Sequence, residues 1–235
     1  MRDETYDAAG AVIVPAAPQE AAAEIARRFP RMQAVLPAAA LVVGSYYVAM
    51  WAARYLTLDA AVYGSRWSLA PLVFLHVLFG IIALMVGPFQ FWSGLRRYNL
   101  TVHRWVGRTY VASVAASVLC AVALLILRDH SINFRLGIGG LSLAWAGTTS
   151  LALVAIRRRL IAQHREWMIR SYVVTFGFVL FRIILDVMGA YEVGTLQERI
   201  AVASWACWAV PLLITELILQ GRHVIAGRAR LPLPG

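Results

Sequence analysis

Six long apolar stretches constrain this chain more than any other feature, because a helix needs about 20 mostly apolar residues to cross a bilayer. They predict spanning helices, in chain order, over Val35–Leu56, Leu69–Trp92, Val102–Leu127, Gly137–Ile156, Ser171–Met188 and Ile200–Leu219. Six spans take up more than half of the 235 residues, which leaves no room for a second folded domain. The predicted fold class is all-α, a polytopic membrane helix bundle with six transmembrane helices.

The composition excludes several classes of protein. Only 14% of the residues are charged, against about 25% in a typical soluble domain. This deficit argues against a soluble enzyme and a nucleic-acid-binding module, although the formal net charge is +10. All 22 basic residues are Arg, so a Schiff-base lysine and a P-loop lysine are both excluded. Cys120 and Cys207 each lie alone in an apolar run, which argues against a disulfide framework.

The arginines predict the orientation in the membrane. With the N-terminus inside, sixteen arginines lie on the inner side, five lie on the outer side, and Arg182 lies within a span. Inner loops carry an excess of basic residues in membrane proteins, so both termini are predicted to be cytoplasmic. Anionic lipid headgroups are the expected partner of this charge, and no nucleic acid is needed to explain it. We expect an N-terminal cytoplasmic tail over residues 1–32, a transmembrane domain over 33–222 and a C-terminal cytoplasmic tail over 223–235.

Charged and titratable side chains within the spans are the candidate functional residues, because such groups are costly in a bilayer and usually face the bundle interior. His76 lies in the second span and Glu216 in the sixth. At 100° per residue, one 60° arc of the fifth helix contains His164, Ser171, Thr175, Arg182 and Asp186. A polar stripe of this kind is expected to face protein or a water-filled cavity.

Depth separates these residues into two layers. His103 and His164 both lie where helices begin at the inner face, and Glu216 lies within about a turn of that level. His76 lies about sixteen residues from the inner end of its helix, a rise of about 24 Å. The sequence therefore predicts an inner layer of His103, His164 and Glu216, and an outer layer of His76, Arg182 and Asp186.

The inner layer is compatible with three kinds of site. Two neutral imidazoles on neighbouring helices could hold one b-type haem axially, with Arg108 and Arg170 pairing its propionates. If Glu216 joins the two histidines, the set resembles a His-His-carboxylate site for zinc or non-haem iron. The third interpretation is structural, with His and Arg anchoring the helices to phosphate headgroups.

The outer layer also leaves alternatives open. Arg182 and Asp186 are four residues apart on one helix face and could neutralise each other, with His76 hydrogen-bonded nearby. They could instead form a proton or electron relay, or an anion site at Arg182. The leading hypothesis is a redox-type membrane protein with one haem b between the third and fifth spans. One competitor is a cofactor-free protein with an interior polar site, either an accessory subunit of a larger membrane complex or a carrier for a small molecule. Another is a metal-dependent membrane protein that uses His103, His164 and Glu216.

Three motifs carry a resemblance to a known family. They are His76…Gly80…Gly87-Pro88-Phe89-Gln90-Phe91, His103-Arg104…Gly107-Arg108…Tyr110, and His164-Arg165…Trp167-Met168…Arg170-Ser171-Tyr172. Together with Arg182 and Trp208…Glu216, they resemble the bacterial family of predicted membrane proteins of unknown function numbered 2306, over roughly residues 70 to 220. The resemblance implies a multi-pass protein of the bacterial cytoplasmic (inner) membrane and implies no activity.

A more distant resemblance concerns the two inner histidines. Their placement on the third and fifth spans is similar to that in transmembrane b-type cytochromes of the ascorbate-dependent ferric reductase type, which hold two haems in a four-helix core. In this chain the fourth span has no His to pair with His76. The resemblance therefore implies at most one haem, at the inner side.

Overall fold

A computed structural model of the protein describes residues 32–92 and 99–225. Most of the predicted N-terminal tail lies outside the described residues, as do Arg96, Arg97 and the chain beyond residue 225. The described residues are helical and contain no strand. The all-α prediction is therefore confirmed.

Eight α-helices follow one another in the described residues. They are α1 (Met32–Tyr47), α2 (Ala60–Tyr63), α3 (Ala70–Phe91), α4 (Leu100–Leu127), α5 (Ile132–Arg157), α6 (Ile161–Thr175), α7 (Gly177–Ala190) and α8 (Leu196–Ile225). A π-helical turn and a 3-10 turn extend α1 to Leu56, and a 3-10 turn over Gly64–Leu69 joins α2 to α3. The helices combine into six segments long and apolar enough to cross a membrane, as predicted.

The fifth span differs from its prediction in two ways. It begins at Ile161, ten residues before the predicted Ser171, so His164 lies within the span. It is also divided at Phe176, where α6 ends and α7 begins. The first span has the predicted bounds of Val35–Leu56.

Short polar side chains fix several helix ends by accepting hydrogen bonds from the first free backbone N–H groups. The Asn99 side chain accepts from the N–H of Val102 at 3.0 Å at the start of α4. The Ser131 hydroxyl accepts from the N–H of Phe134 at the start of α5. These caps set where His103 and the start of the fourth span lie.

The helices pack mainly as sequential neighbours. The closest pairs are α3 with α4 and α5 with α6, while α8 packs on α5 and α7 and α1 packs on α3. Ala83, Tyr110, Val114, Ala152 and Met168 form the buried core where these helices meet. Many large apolar side chains on the outside, such as Leu119 and Leu143, are more than two-thirds exposed. Such a surface suits contact with lipid chains.

Glycine permits the close approach of α3 and α6. A Cβ atom at Gly87 would overlap the ring of Tyr172 and would lie 3.3 Å from the ring of Tyr110. Gly140 in α5 similarly leaves space for Trp208 of α8, whose ring would lie 2.8 Å from a Cβ atom there. Small residues at helix contacts are typical of membrane bundles.

Candidate functional site

His103 and His164 line the same cavity, as the matching depth of their helices predicts. This cavity, the His cavity, has a volume of about 590 Å³. Its other lining residues are Leu36, Pro37, Ala40, Gln90, Phe91, Arg165, Met168, Ile169, Tyr172, Val173 and Arg222. The beginnings of α1, α4 and α6 therefore meet the ends of α3 and α8 at one end of the bundle.

A hydrogen bond orients the imidazole of His164. Its Nδ1 lies 2.9 Å from the backbone carbonyl oxygen of Ala152 on α5. A carbonyl oxygen only accepts, so this contact assigns the proton to Nδ1. In the neutral ring, Nε2 then carries the lone pair that can ligate a metal. Histidines that bind metal commonly donate their other ring N–H to a carbonyl or a carboxylate.

Two arginines lie at the His cavity, but they are not the two that the sequence predicts. Arg165 and Arg222 line the cavity, whereas Arg108 and Arg170 do not. Arg108 is exposed, with its guanidinium 5.0 Å from the ring centre of Trp105. The difference from the prediction follows from helix geometry, because Arg165 is adjacent to His164 near the start of α6 while Arg170 is on another face.

Arg170 is instead the centre of an ion network. Its Nε and Nη2 atoms each lie 2.7 Å from Oε2 of Glu216, and its Nη1 lies 3.8 Å from Glu166. Glu166 in turn contacts Nε2 of His223 at 2.8 Å. The Arg170 side chain is 7% exposed and lies over the ring of Trp167 at 4.7 Å. The network joins α6 to α8.

This network removes Glu216 from the predicted inner metal set. Glu216 lines a cleft of about 390 Å³ with Thr148, Trp167 and Trp208, apart from the His cavity. Among the described residues, no three His, Cys, Asp or Glu side chains are close enough together to hold a metal ion. The structure therefore does not assemble a site from His103, His164 and Glu216, because Arg170 holds the carboxylate elsewhere.

A second cavity, the Arg182 cavity, contains two of the three predicted outer-layer residues. It has a volume of about 290 Å³, and both His76 and Arg182 line it. His76 Nδ1 lies 3.0 Å from the carbonyl oxygen of Ser117 on α4, so Nδ1 donates there. Asp186 differs from its prediction, because it is exposed and does not line the cavity.

Arg182 does not form the predicted ion pair with Asp186. Its guanidinium carbon lies 4.7 Å from the ring centre of Trp51 on the first span. Its Nε atom is buried and has no hydrogen-bond partner within the part of the chain that the structure describes. No Asp or Glu oxygen of the described residues lies within 4.0 Å of its guanidinium nitrogens. Asp186 acts on the charge of Arg182 only through space, beyond ion-pair distance.

Five buried or half-buried side chains form a hydrogen-bond chain across α4, α5 and α6. Tyr110 Oη lies 2.7 Å from both Ser171 Oγ and Thr175 Oγ1. Thr149 Oγ1 lies 2.7 Å from Ser171 Oγ, and Trp145 Nε1 donates to Thr175 Oγ1 at 2.8 Å. Trp145 and Thr175 also line the Arg182 cavity, so the chain forms part of its wall.

The direction of each bond in this chain can be assigned from donor counts. The Thr175 hydroxyl donates to the carbonyl oxygen of Ser171 at 2.8 Å, so it must accept from Tyr110. Tyr110 then accepts from the Ser171 hydroxyl, which accepts from Thr149, because each hydroxyl has a single hydrogen. Every hydroxyl hydrogen in the set is therefore used, which favours a fixed structural role for the chain.

Sequence reasoning missed the hydrogen-bond chain and the two cavity arginines. Ser171 and Thr175 were recognised as polar positions on the fifth helix, but the sequence does not show which side chains of α4 and α5 face them. For Arg165, its position next to His164 was a usable signal. Arg222 follows Glu216 by six residues, and no pattern in the sequence connects it with the histidines.

Comparison with known proteins identifies a family for most of these elements. A family model described as "Predicted membrane protein (DUF2306)" matches residues 73–219. The matched region extends from α3 into α8 and contains His76, His103, His164 and Arg182. No curated protein and no solved structure matches the chain. The resemblance to transmembrane b-type cytochromes therefore stays a prediction.

Proposed function

The chain belongs to the DUF2306 family of predicted membrane proteins, and from that premise we propose that it is a redox-type protein that binds one haem b through His103 and His164. The observation that carries the proposal is that both histidines line one cavity between the third and fifth spans. Its volume of about 590 Å³ falls in the range of about 300–1,000 Å³ that is usual for cofactor sites.

The donor set of the His cavity fits a b-type haem. The imidazoles of His103 and His164 would hold the iron, and the bond from His164 to the Ala152 carbonyl leaves Nε2 available. The rings of Phe91 and Tyr172 lie 5.6 Å apart and provide apolar contact for a flat macrocycle. Arg165 and Arg222 supply positive charge for the two propionates.

The residues of the chain would bind, orient and shield the group. His164 is held by the Ala152 carbonyl, and Gln90 on α3 donates to the backbone carbonyl of His103 at 3.4 Å. A bound haem supplies a single-electron couple between ferric and ferrous iron. The apolar side chains of Met168 and Ile169 would exclude water from one part of the cavity, and such exclusion is one way in which a protein tunes the potential of a bound iron.

We place the His cavity at the cytoplasmic side of the bacterial inner membrane. The support is the excess of arginine on the side where α4 and α6 begin. In this orientation, electrons would enter from a cytoplasmic donor or from a partner subunit in the membrane.

An absorption spectrum of the purified protein tests the haem proposal. The protein is expressed with a haem precursor, purified in detergent, and measured as a dithionite-reduced minus oxidised difference spectrum. We expect an α-band near that of a bis-imidazole haem, with one haem per chain by pyridine haemochromogen assay. His103→Ala and His164→Ala are each expected to lose the band, because each removes one of the two imidazoles that would hold the haem.

His76→Ala is the matched control, because it also removes a histidine from the bundle interior but from the other cavity. It should keep the band and the haem content. Size-exclusion profiles identify variants that fail to fold. A flat spectrum from well-folded wild-type protein would overturn the haem proposal, and so would a band that survives in both inner-histidine variants.

A further inference from the structure

Three arginines gather around two aromatic side chains near the end of the bundle opposite the His cavity. The guanidinium carbon of Arg54 lies 5.5 Å from the ring centre of Trp51 and 5.4 Å from that of Tyr55. Arg66 lies 5.7 Å from the ring centre of Tyr55, and Arg182 lies 4.7 Å from that of Trp51. We call this group the arginine cluster. It joins the first, second and fifth spans.

Within the described residues, the arginine cluster forms no ion pair, and Asp186 acts on Arg182 only from beyond ion-pair distance. Within residues 32–92 and 99–225, no Asp or Glu oxygen lies within 4.0 Å of a guanidinium nitrogen of Arg54, Arg66 or Arg182. The nearby outer arginine Arg135, in contrast, pairs with Asp129 at 3.3 Å. An aromatic ring attracts a cation but has no net charge, so it does not neutralise the guanidinium. Three positive charges therefore lie close together, and Asp186 offsets part of the charge on Arg182 from a distance.

The position of Arg182 makes this charge costly. Arg182 is eight residues from the end of α7 at Ala190, which corresponds to about 12 Å along the helix. A charged group at that depth usually faces a cavity or a partner of opposite charge. Its buried Nε has no hydrogen-bond partner in the described part of the chain. An anion at this place would satisfy both the charge and the donor.

The Arg182 cavity extends from this charge into an apolar space. Apart from His76, Ser117, Ser142, Thr175 and Arg182 itself, its lining is almost entirely apolar or aromatic. Its apolar lining includes the side chains of Ile81, Leu84, Phe134, Ile138, Leu141 and Phe181. Trp145 and Thr175 direct their polar atoms toward each other and toward the hydrogen-bond chain. Deeper in the cavity a ligand would meet mostly apolar surface.

We propose that the Arg182 cavity binds an amphiphilic oxyanion, with the anionic head on Arg182 near the positive charges of Arg54 and Arg66, and the apolar body inside the cavity. The head could be the carboxylate of a free medium-chain fatty acid or the phosphate of an anionic lipid, because a guanidinium recognises both in the same way. This site is separate from the His cavity, so the inference does not depend on haem binding.

Binding of tritiated decanoate tests the site. The full-length protein is placed in nanodiscs of zwitterionic phosphatidylcholine, and specific binding is measured by scintillation proximity. We expect saturable binding that decanol, the uncharged analogue, does not displace. Arg182→Gln should weaken binding about tenfold or more, because it removes the deepest positive charge, while Arg182→Lys should retain part of the affinity.

Arg135→Gln is the matched control, since Arg135 lies near the same end of the bundle but has its own carboxylate partner. It should bind decanoate like the wild type. If Arg182→Gln does not fold, Arg54→Gln and Arg66→Gln take its place, with a smaller expected loss because both side chains are exposed and do not line the cavity. Nanodiscs that also contain phosphatidylglycerol separate the two sources of the oxyanion.

Competition by phosphatidylglycerol would identify a lipid headgroup as the occupant, and unchanged decanoate binding would identify a free carboxylate. Either result supports the site if it depends on Arg182. Binding that is equal in wild type and Arg182→Gln would overturn the inference. An absence of saturable decanoate binding to folded wild-type protein in phosphatidylcholine nanodiscs would overturn it as well.

Discussion

Arg170 and Glu216 join α6 to α8 by a two-point contact, in which Nε and Nη2 of the arginine each lie 2.7 Å from Oε2 of the glutamate. The pair is asymmetric, because the arginine side chain is 7% exposed and the glutamate side chain is 42% exposed. Removing either partner should therefore have different consequences. The contact also explains why Arg170, a candidate for haem propionates in the sequence, is not available at the His cavity.

Glu216→Ala should destabilise the protein more than an ordinary surface substitution. The guanidinium of Arg170 would stay buried with only Glu166, at 3.8 Å, as a carboxylate partner. Exposure of Glu216 reduces the interaction below that of a fully buried pair, so we expect a loss of about 1–2 kcal/mol in the free energy of unfolding. Denaturation in mixed micelles, monitored by circular dichroism, measures this change in the free energy of unfolding.

Gln220→Ala provides the comparison, since Gln220 donates to the other oxygen of Glu216 at 2.8 Å without touching Arg170. Its expected loss is below about 0.5 kcal/mol, as for most exposed positions. Equal losses in the two variants would show that the charge on Arg170 is not the reason for the effect.

Gly87→Ala should disturb the contact between α3 and α6. The added Cβ would overlap the ring of Tyr172. That ring has little freedom to move, because its hydroxyl donates to the Leu84 carbonyl at 3.2 Å and its face packs near Phe91. Overpacking of this kind lowers stability by about 1–3 kcal/mol, which thermal unfolding in detergent should detect.

Gly139→Ala is the matched substitution, because a Cβ at Gly139 meets no atom within 4 Å and the residue lies within α5. Alanine is the better helix former by up to about 1 kcal/mol, so this variant should unfold at the same or a higher temperature. If Gly87→Ala were equally well tolerated, the close approach of Tyr172 to α3 would be wrong.

Tyr110→Phe should cost more stability than Thr149→Val. Tyr110 both donates and accepts within the buried hydrogen-bond chain, so its loss leaves Ser171 without an acceptor and removes a donor to Thr175. Thr149 is a terminal donor with a single bond in the chain. A buried donor left unsatisfied costs about 1–3 kcal/mol, and we expect the Tyr110 variant to lie in that range and the Thr149 variant near its lower end.

Denaturation of both single variants and of the double variant tests the chain as a unit. Because Tyr110 and Thr149 act through Ser171, their effects should not add, and the difference from additivity is expected to exceed about 0.5 kcal/mol. Additive losses would show that the two hydroxyls act independently.

The six spans could be predicted from the sequence because a spanning helix is defined by properties of one continuous stretch of chain, without reference to its neighbours. Length and hydropathy define a spanning helix, and the bounds of the first span agree with its prediction at both ends. Relative depth was predictable for the same reason, since counting residues at a fixed rise placed His103 with His164 and His76 with Arg182. Each of these pairs lines one cavity.

The direction in which long side chains extend could not be predicted. Arg170 contacts Glu216, and Arg182 lies over the ring of Trp51. A flexible arginine side chain can reach any carboxylate or aromatic ring that neighbouring helices place within its length. Helical periodicity contains no information on those neighbours. The break at Phe176 also contributes to the wrong placement of Asp186. The prediction that Asp186 shares a face with His164 requires one continuous helix.

Substitution of Arg165 or Arg222 tests the proposed haem site through the midpoint potential of the haem. If the haem lies in the His cavity, these two positive charges stabilise the propionates and the reduced iron relative to the oxidised iron. Removing positive charge favours the ferric form, so Arg165→Gln and Arg222→Gln should each lower the midpoint potential. At an effective dielectric constant near 20, one charge about 10 Å from the iron contributes about 1–2 kcal/mol, or a shift of some tens of millivolts after screening.

Redox titration of the α-band in detergent measures this shift, with Arg108→Gln as the comparison. Arg108 was an equal candidate in the sequence, but it is exposed and lies over Trp105 outside the cavity. Its substitution should leave the midpoint potential within a few millivolts of the wild type, because Arg108, unlike the equally exposed Arg165 and Arg222, does not line the cavity. A larger shift for Arg108→Gln than for Arg165→Gln would place the haem on another face of α4, and would exclude the cavity between His103 and His164 as its site.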